Sequence, residues 1–391
     1  MIIEILTIGV IILAILIALT WLAIELQYRN RPGNALELTC GDWNLAVEEP
    51  EKYLLVGEME LCNRTKSLEI MVPEVQAEVK LLSSGSLEGV TYRTQIVPFH
   101  KDALARQDNY WFAYIVKIGK KTKFKVSIDI QGNNLEQLNS AWIKVNYVTY
   151  GPGGRIPKVQ NIIVPLKFPD PSSRPNQREV TNAKVFPIRT HLLTQLDDPI
   201  EIIKRYVVPH AQKGDIVTIG ETPLALIQGR FRHPTDIKPG WVAKRICYFF
   251  MPTSSLATAC GMQTLVDIVG PIRVLIAFFG GSIAKILGQP GMFYQFAGQQ
   301  ARLIDDVTGT LPPYDQFIVL GPENTQQVVE QIQQATGLGA AIVDVNDLKA
   351  VKILAATSNV SHYLLEEALR SNPAGNADEQ TPLVLIRPSS S

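Results

Sequence analysis

Acidic side chains that close apolar runs are the residues of this chain best suited to chemistry. Asp344 ends the run Ala340–Val345, with Asp347 close behind, and the pair Asp305-Asp306 follows Ile304 and precedes Val307-Thr308-Gly309. Carboxylates held this way suit a hard divalent cation, which takes oxygen ligands. The positions also have ordinary uses. An acid closing a strand serves as a cap, and paired acids before Val-Thr-Gly suit a surface turn. Arg230, Arg232 and His233 form a small basic cluster that fits either a phosphate or a solvated turn.

Other chemistries find little footing. Ser254-Ser255 and Ser282 lack a G-x-S-x-G context, so nucleophilic hydrolysis has no support. His100, His191, His210, His233 and His362 are scattered and read as structural or solvent-facing. Cys40, Cys62, Cys247 and Cys260 form no C-x-x-C and have no H-x-x-x-H or E-x-x-H beside them, which speaks against structural zinc. They read as buried thiols. The 37 Lys and Arg balance the 37 Asp and Glu, so no basic field points to nucleic acid.

The elements that must position these residues begin with an anchor. Ile5 to Ile24 carries no charged side chain over 20 residues, the length needed to cross a hydrocarbon core of about 30 Å. No Lys or Arg precedes it, and Arg29 and Arg31 follow, with Trp21 and Tyr28 near headgroup level. The positive-inside rule then puts the N-terminus outside and residues 27–391 on the cytoplasmic side. A cleaved signal peptide is the rival, but no basic n-region or A-x-A site is present.

Residues 36–168 look all-β. Phe124, Val126, Ile128 and Ile130 alternate with Lys125, Ser127 and Asp129, and turns such as Gly132-Asn133-Asn134 separate short apolar runs. This predicts a small immunoglobulin-like sandwich, acting as a spacer or docking domain. The stretch Pro169-Asp170-Pro171-Ser172-Ser173-Arg174-Pro175 marks a linker over 169–179. Residues 180–391 then alternate strands and helices as a mixed α/β domain, so the chain as a whole is α+β. Asp198-Pro199-Ile200-Glu201 predicts a capped helix start, Lys213-Gly214-Asp215 a turn into the strand Ile216–Ile219, and Gly337 a helix end. Leu265–Leu287 is very apolar, but its uncharged core Val274–Ala284 is too short for a span. It predicts a buried helix pair, or a helix on the membrane surface docking through Phe278 and Phe279.

Residues 185–388 resemble the coenzyme F420-0:γ-glutamyl ligase family. Val185-Phe186-Pro187-Ile188 followed by Leu196-Asp197-Asp198 is similar to the family's opening strand and its acidic pair. Gly214-Asp215-Ile216-Val217 resembles its next turn and strand, and Gly229-Arg230 stands where its Ser-Lys-x-Glu-Gly segment ends. Ile304-Asp305 matches the end of its Asn-Ala-Gly-Ile-Asp motif, Ile342-Val343-Asp344 its strand into Thr-Asp-Thr, and Val384-Leu385-Ile386-Arg387 its closing strand. Members join glutamate to a deazaflavin coenzyme by an amide bond, using GTP and a divalent metal, Mg or Mn. The resemblance implies metal positions at Asp305 and Asp344 and cofactor-binding positions at Asp215 and Arg230. On spacing alone Asp306 and Asp347 are further candidates.

The departures are specific. Pro223-Leu224-Ala225-Leu226-Ile227-Gln228 replaces the Ser, Lys and Glu, Ala301-Arg302-Leu303 replaces Asn-Ala-Gly, and Val343 and Val345 flank Asp344 in place of Thr. Two expectations follow: a membrane-anchored, GTP- and metal-dependent amide ligase, or a catalytically degenerate scaffold or assembly factor at a membrane. The family also implies a homodimer, and the anchor suits work beside a membrane-protein complex.

Overall fold

The computed structural model describes residues 2–29, 35–103, 106–151, 153–306, 311–345, 350–375 and 379–389. The chain starts with one helix, α1 (Ile2–Arg29). Its Thr7–Gln27 stretch is long and apolar enough to cross a membrane, a property signal sequences share, and none of its most apolar window is buried against the rest of the protein.

A sandwich follows. In chain order it is built from β1 (Leu36–Glu49), β2 (Lys52–Asn63), β3 (Ile70–Ser83), β4 (Thr91–Phe99), β5 (Tyr114–Val116), β6 (Lys121–Gln131), β7 (Leu138–Gly151) and β8 (Gly154–Pro165). These form two four-stranded sheets, ordered β1-β2-β6-β4 and β5-β3-β7-β8. Alternation drives the arrangement: β2 buries every second residue, as does β6, where Phe124, Val126, Ile128 and Ile130 point inward. The strands run longer than the short runs read from the sequence. Edge strands β1 and β4 were not among those runs, because their burial is broken and mostly shallow.

Residues 166–177 join the two domains without regular structure, and the second domain opens at β9 (Arg178–Val180), so the last two residues of the expected linker already pair in a sheet. Its main sheet has the order β16-β15-β11-β17-β10-β9, where β10 is Ala183–Ile188, β11 Ile216–Gly220, β15 Gly339–Val345, β16 Val351–Ala356 and β17 Leu383–Pro388. Only β11 and β15 are parallel; every other neighbour is antiparallel. Three residue pairs, β12 (Phe231–Arg232), β13 (Asp305–Asp306) and β14 (Ile318–Val319), make a small second sheet.

The helices are α2 (Pro199–Tyr206), α3 (Glu221–Ile227), α4 (Trp241–Ile246), α5 (Ala259–Val269), α6 (Pro271–Ile286), α7 (Met292–Ala297), α8 (Thr325–Thr336) and α9 (His362–Leu369). Asp198 caps α2 as its position predicts, accepting from the backbone N–H groups of Ile200 and Glu201. Ile202, Ile203, Val329 and Ile332 from α2 and α8 pack with Val217, Ile219 and Ile342 of the sheet. Helices α4 to α7 form a separate layer with its own core around Met262, Leu265, Val274 and Phe293.

The two domains share a seam of side chains. Ile163 of β8 packs in one apolar cluster with Leu192, Leu226, Tyr314 and Phe317 of the second domain. The Trp142 ring lies 5.1 Å from that of Phe317, and Asn161 Nδ2 donates to Asp236 at 2.9 Å.

Candidate functional site

The parallel pair sets the site. Gly220 pairs with Val343, so the residues that follow, Glu221 and Asp344, leave adjacent strands side by side at their carboxyl ends. Strands in such a pair are about 4.8 Å apart, and the carboxyl ends of parallel strands are where α/β sheets bind ligands. Asp305 arrives from another direction, on β13, which is held by pairing with Val319. All three acids line a single cleft of about 650 Å³. Its floor includes Thr218, Val343 and Val384, and its rim includes the 372–375 turn, held where the Thr381 hydroxyl donates to the Ala374 carbonyl at 2.6 Å.

The acids feel one another. Burial pushes the Glu221 carboxyl up to about 8, with the charges of Asp344 and Asp305 adding to the rise and Lys352 opposing it. Asp305 is open to solvent by area yet recessed in the cleft wall. Its pKa is raised, first by desolvation and then by Asp344, again against Lys352. Lys352 Nζ stands 3.9 Å from Asp344, with both side chains about half exposed, so water screens this pair heavily. A carboxylate set with one loosely held cation nearby favours uptake of positive charge, as protons or as a metal ion. Among the described residues no three His, Cys, Asp or Glu side chains stand grouped to hold a metal ion in this conformation. The donors are of the type a hard cation takes, and they would have to draw closer together to ligate it.

Two other polar groups of the cleft lining, His191 and Tyr314, are already engaged. His191 Nδ1 lies 2.9 Å from the Tyr206 hydroxyl and its Nε2 2.9 Å from Asp197 Oδ1, which fixes the buried ring. The buried Tyr314 hydroxyl donates to the Leu193 carbonyl at 3.0 Å. The described cleft lining contains neither Lys nor Arg. A second groove of about 380 Å³ adjoins it between the domains, sharing Leu192, Leu311 and Gln380, and this groove does hold cations, Lys167 and Arg189.

Residues 37–168 match the F420-0:gamma-glutamyl ligase N-terminal Ig-like domain. The match covers the sandwich, and the likeness read from the sequence covers the other domain, so the two fall on different halves of the chain. Among solved structures, the chain is similar to the yeast GGA1 GAE domain, at 15% identity over 35% of this chain and 96% of that one, with a TM-score of 0.21. It is also similar to the GAE domain of GGA2p from Saccharomyces cerevisiae, at 10% identity over 34% and 94%, with a TM-score of 0.21. No curated protein matches the chain.

The ligase-like positions separate into two groups. Asp305 and Asp344 meet in the cleft. Asp215 does not line it: it precedes β11, at the opposite end of that strand from Glu221, buried beneath Arg387. Arg387 Nη2 donates to Asp215 Oδ2 at 2.7 Å and Nε to Oδ1 at 3.0 Å, a two-pronged pair. Arg230 is likewise spent within the fold. Its Nε donates to the Gly321 carbonyl at 2.6 Å and its Nη1 pairs with Glu323. Arg232 is bound to Asp267 at 2.6 Å and His233 Nδ1 lies 2.7 Å from the Thr235 hydroxyl, so the basic cluster disperses into separate contacts. Of the acids named on spacing, the Asp306 side chain and all of Asp347 lie outside the described residues.

Glu221 is the site residue that the sequence reading passed over. A signal was present: like Asp344 it closes a buried apolar run, Ile216–Gly220.

Proposed function

We propose that this chain is a membrane-anchored amide ligase of the γ-glutamyl ligase type, activating a carboxylate with GTP and a divalent cation, Mg or Mn. The meeting of Glu221, Asp305 and Asp344 in one cleft at the carboxyl ends of β11 and β15 supports the reading above all else. The Ig-like match of residues 37–168 to the same enzyme's N-terminal domain supports it independently. A divalent cation bound among these acids supplies charge neutralisation at phosphate oxygens. Asp305 and Asp344 are the residues to hold it. Glu221, which a cation bound beside it would hold in its charged form, is placed to take the proton an attacking amine sheds as it displaces phosphate from the activated carboxyl. Lys167 and Arg189 in the adjoining groove suit the carboxylates of an acidic substrate. The helix α1 is then a retained span, with Arg29 and Arg31 holding the following domains on the cytoplasmic side.

A second reading, a scaffold or assembly factor that has lost catalysis, is favoured by one observation. Among the described residues the cleft lining lacks any Lys or Arg, and Ala225 and Leu226 stand where the family's segment carries its Ser and Lys.

Titrating the full-length chain in detergent with a fluorescent GTP analogue and Mn²⁺ separates the two. Metal-dependent binding that Asp344→Asn abolishes is the outcome expected of the ligase. The absence of binding at millimolar GTP and Mn²⁺ leaves the scaffold.

A further inference from the structure

Helix α6 carries an apolar stripe that none of the described residues covers. Ile272, Ile276, Phe279, Ile283 and Ile286 are 60–85% exposed. At 100° per residue they fall within an arc of about 80° and extend about 21 Å along the axis. Val274, Ala277 and Gly281 on the opposite side are buried against the rest of the layer. The stripe is not isolated. The Phe249 ring lies 4.9 Å from that of Phe278, and Tyr248, Phe249 and Met251 are 73–86% exposed. An apolar patch of this extent on a soluble domain marks an interaction surface.

Charge and position select the partner. From residue 236 to residue 298 the chain holds Lys238, Lys244, Arg245, Arg273 and Lys285 against two acids, Asp236, which accepts from Asn161, and Asp267. Asp267 is already paired with Arg232. Arg245 lies over the exposed Trp241 ring at 5.5 Å, and aromatic side chains beside cations are the composition of membrane–water interfaces. The layer also stands near the point where the chain, seven residues after α1 ends, enters the sandwich. Lys158 of β8 donates to the carbonyl of Leu36, where the chain enters the sandwich, and Asn161 on the same strand binds Asp236, where the layer begins. Three residues of strand separate them by about 10 Å.

We propose that the α4–α7 layer lies on the bilayer that α1 enters, with the α6 stripe at the acyl boundary and its basic residues on anionic headgroups. The inference rests on α1 being an anchor. At 16 residues, or about 24 Å, α6 lies flat instead of crossing.

The test uses the full-length chain in phosphatidylglycerol-containing vesicles doped with a lipid bearing a photoreactive diazirine in its acyl chain, with adducts mapped by mass spectrometry. Adducts are expected on α1 and on peptides covering 272–287. Replacing phosphatidylglycerol by phosphatidylcholine should deplete the second set, and the variant Ile276→Gln/Ile283→Gln should lose it, with the α1 adducts retained in both cases. Adducts confined to α1 would overturn the docking and leave the anchor standing. Adducts on neither segment would overturn both. Chemical cross-links joining α6 to α6 of a second copy would reassign the face to a dimer and overturn the proposal.

Discussion

Asp305 and Asp344 line one cleft, and the pKa of Asp305 is lifted by burial and then further by the charge of Asp344. The two come from separate sheets, so the fold maintains a repulsion that a more relaxed arrangement would release. Such crowding of carboxylates is a mark of functional sites more often than of structural ones.

Cation binding should therefore expel protons. Glu221 has a pKa near 8, so it is mostly protonated at pH 7, and a bound cation favours its charged form. Mn²⁺ titrated into the full-length chain at pH 7 should release about one proton per ion. Release should fade by pH 9, where the group is already ionised. Calorimetry in two buffers of different ionisation enthalpy reads the number directly, and Glu221→Gln should reduce it to near zero.

The same group should make stability fall as pH rises. Its folded pKa is raised above the value of 4.5 for a free Glu, so above pH 4.5 the unfolded chain ionises first. The folded state then binds more protons, and its stability declines until Glu221 itself ionises near pH 8. Glu221→Gln removes this penalty. At pH 8.5 the variant should be more stable than the parent by on the order of 1 kcal/mol, after allowing for partial solvation. Thermal unfolding of the two proteins across pH 5–9 checks both sign and size. A variant that stays parallel to the parent throughout would refute the coupling.

Asp215 and Arg387 should behave as scaffold. Asp215 is 2% exposed and its carboxylate is held by the guanidinium. Arg387→Gln strands that charge and should cost about 3–5 kcal/mol in urea unfolding, with Asp215→Asn costing less. Neither change should alter the response to Mn²⁺ in the surviving folded protein, because the pair sits at the other end of β11.

Gly281 should resist enlargement. A Cβ there would stand 2.8 Å from the Phe293 backbone nitrogen and 2.9 Å from its Cα, where α6 meets α7. Gly281→Ala must push the helices apart, at a cost of about 1–3 kcal/mol. Gly288→Ala, with nothing within 4 Å, meets no such clash, though its φ of 81° still strains an alanine. Circular dichroism melts of both variants separate packing from backbone strain.

Much of this architecture was legible in the chain itself. Local signals survived intact: the Asp198 cap, the end of α8 at Gly337 and the period-two alternation of β6 all depend on neighbours a few residues away. The edges were harder to see. Strands β1 and β4 each have one free side, so their sequences lack the clean apolar rhythm of β2. The site divided along the same line. Asp344 announces itself by ending a buried strand, but whether Asp215 or Glu221 faces the cleft depends on which end of β11 carries the opening. That follows from the parallel pairing with β15, which no local pattern encodes. The resemblance drew Arg230 to the site through its place beside Gly229, and tertiary partners at Gly321 and Glu323 claimed it.

The seam between Ile163, Trp142 and Phe317 has a mechanical meaning. A sandwich fused to its neighbour through a common apolar joint cannot swivel freely like a bead on a string. It acts as a brace, and it biases the heading of the cleft relative to whatever surface holds the other end of the chain.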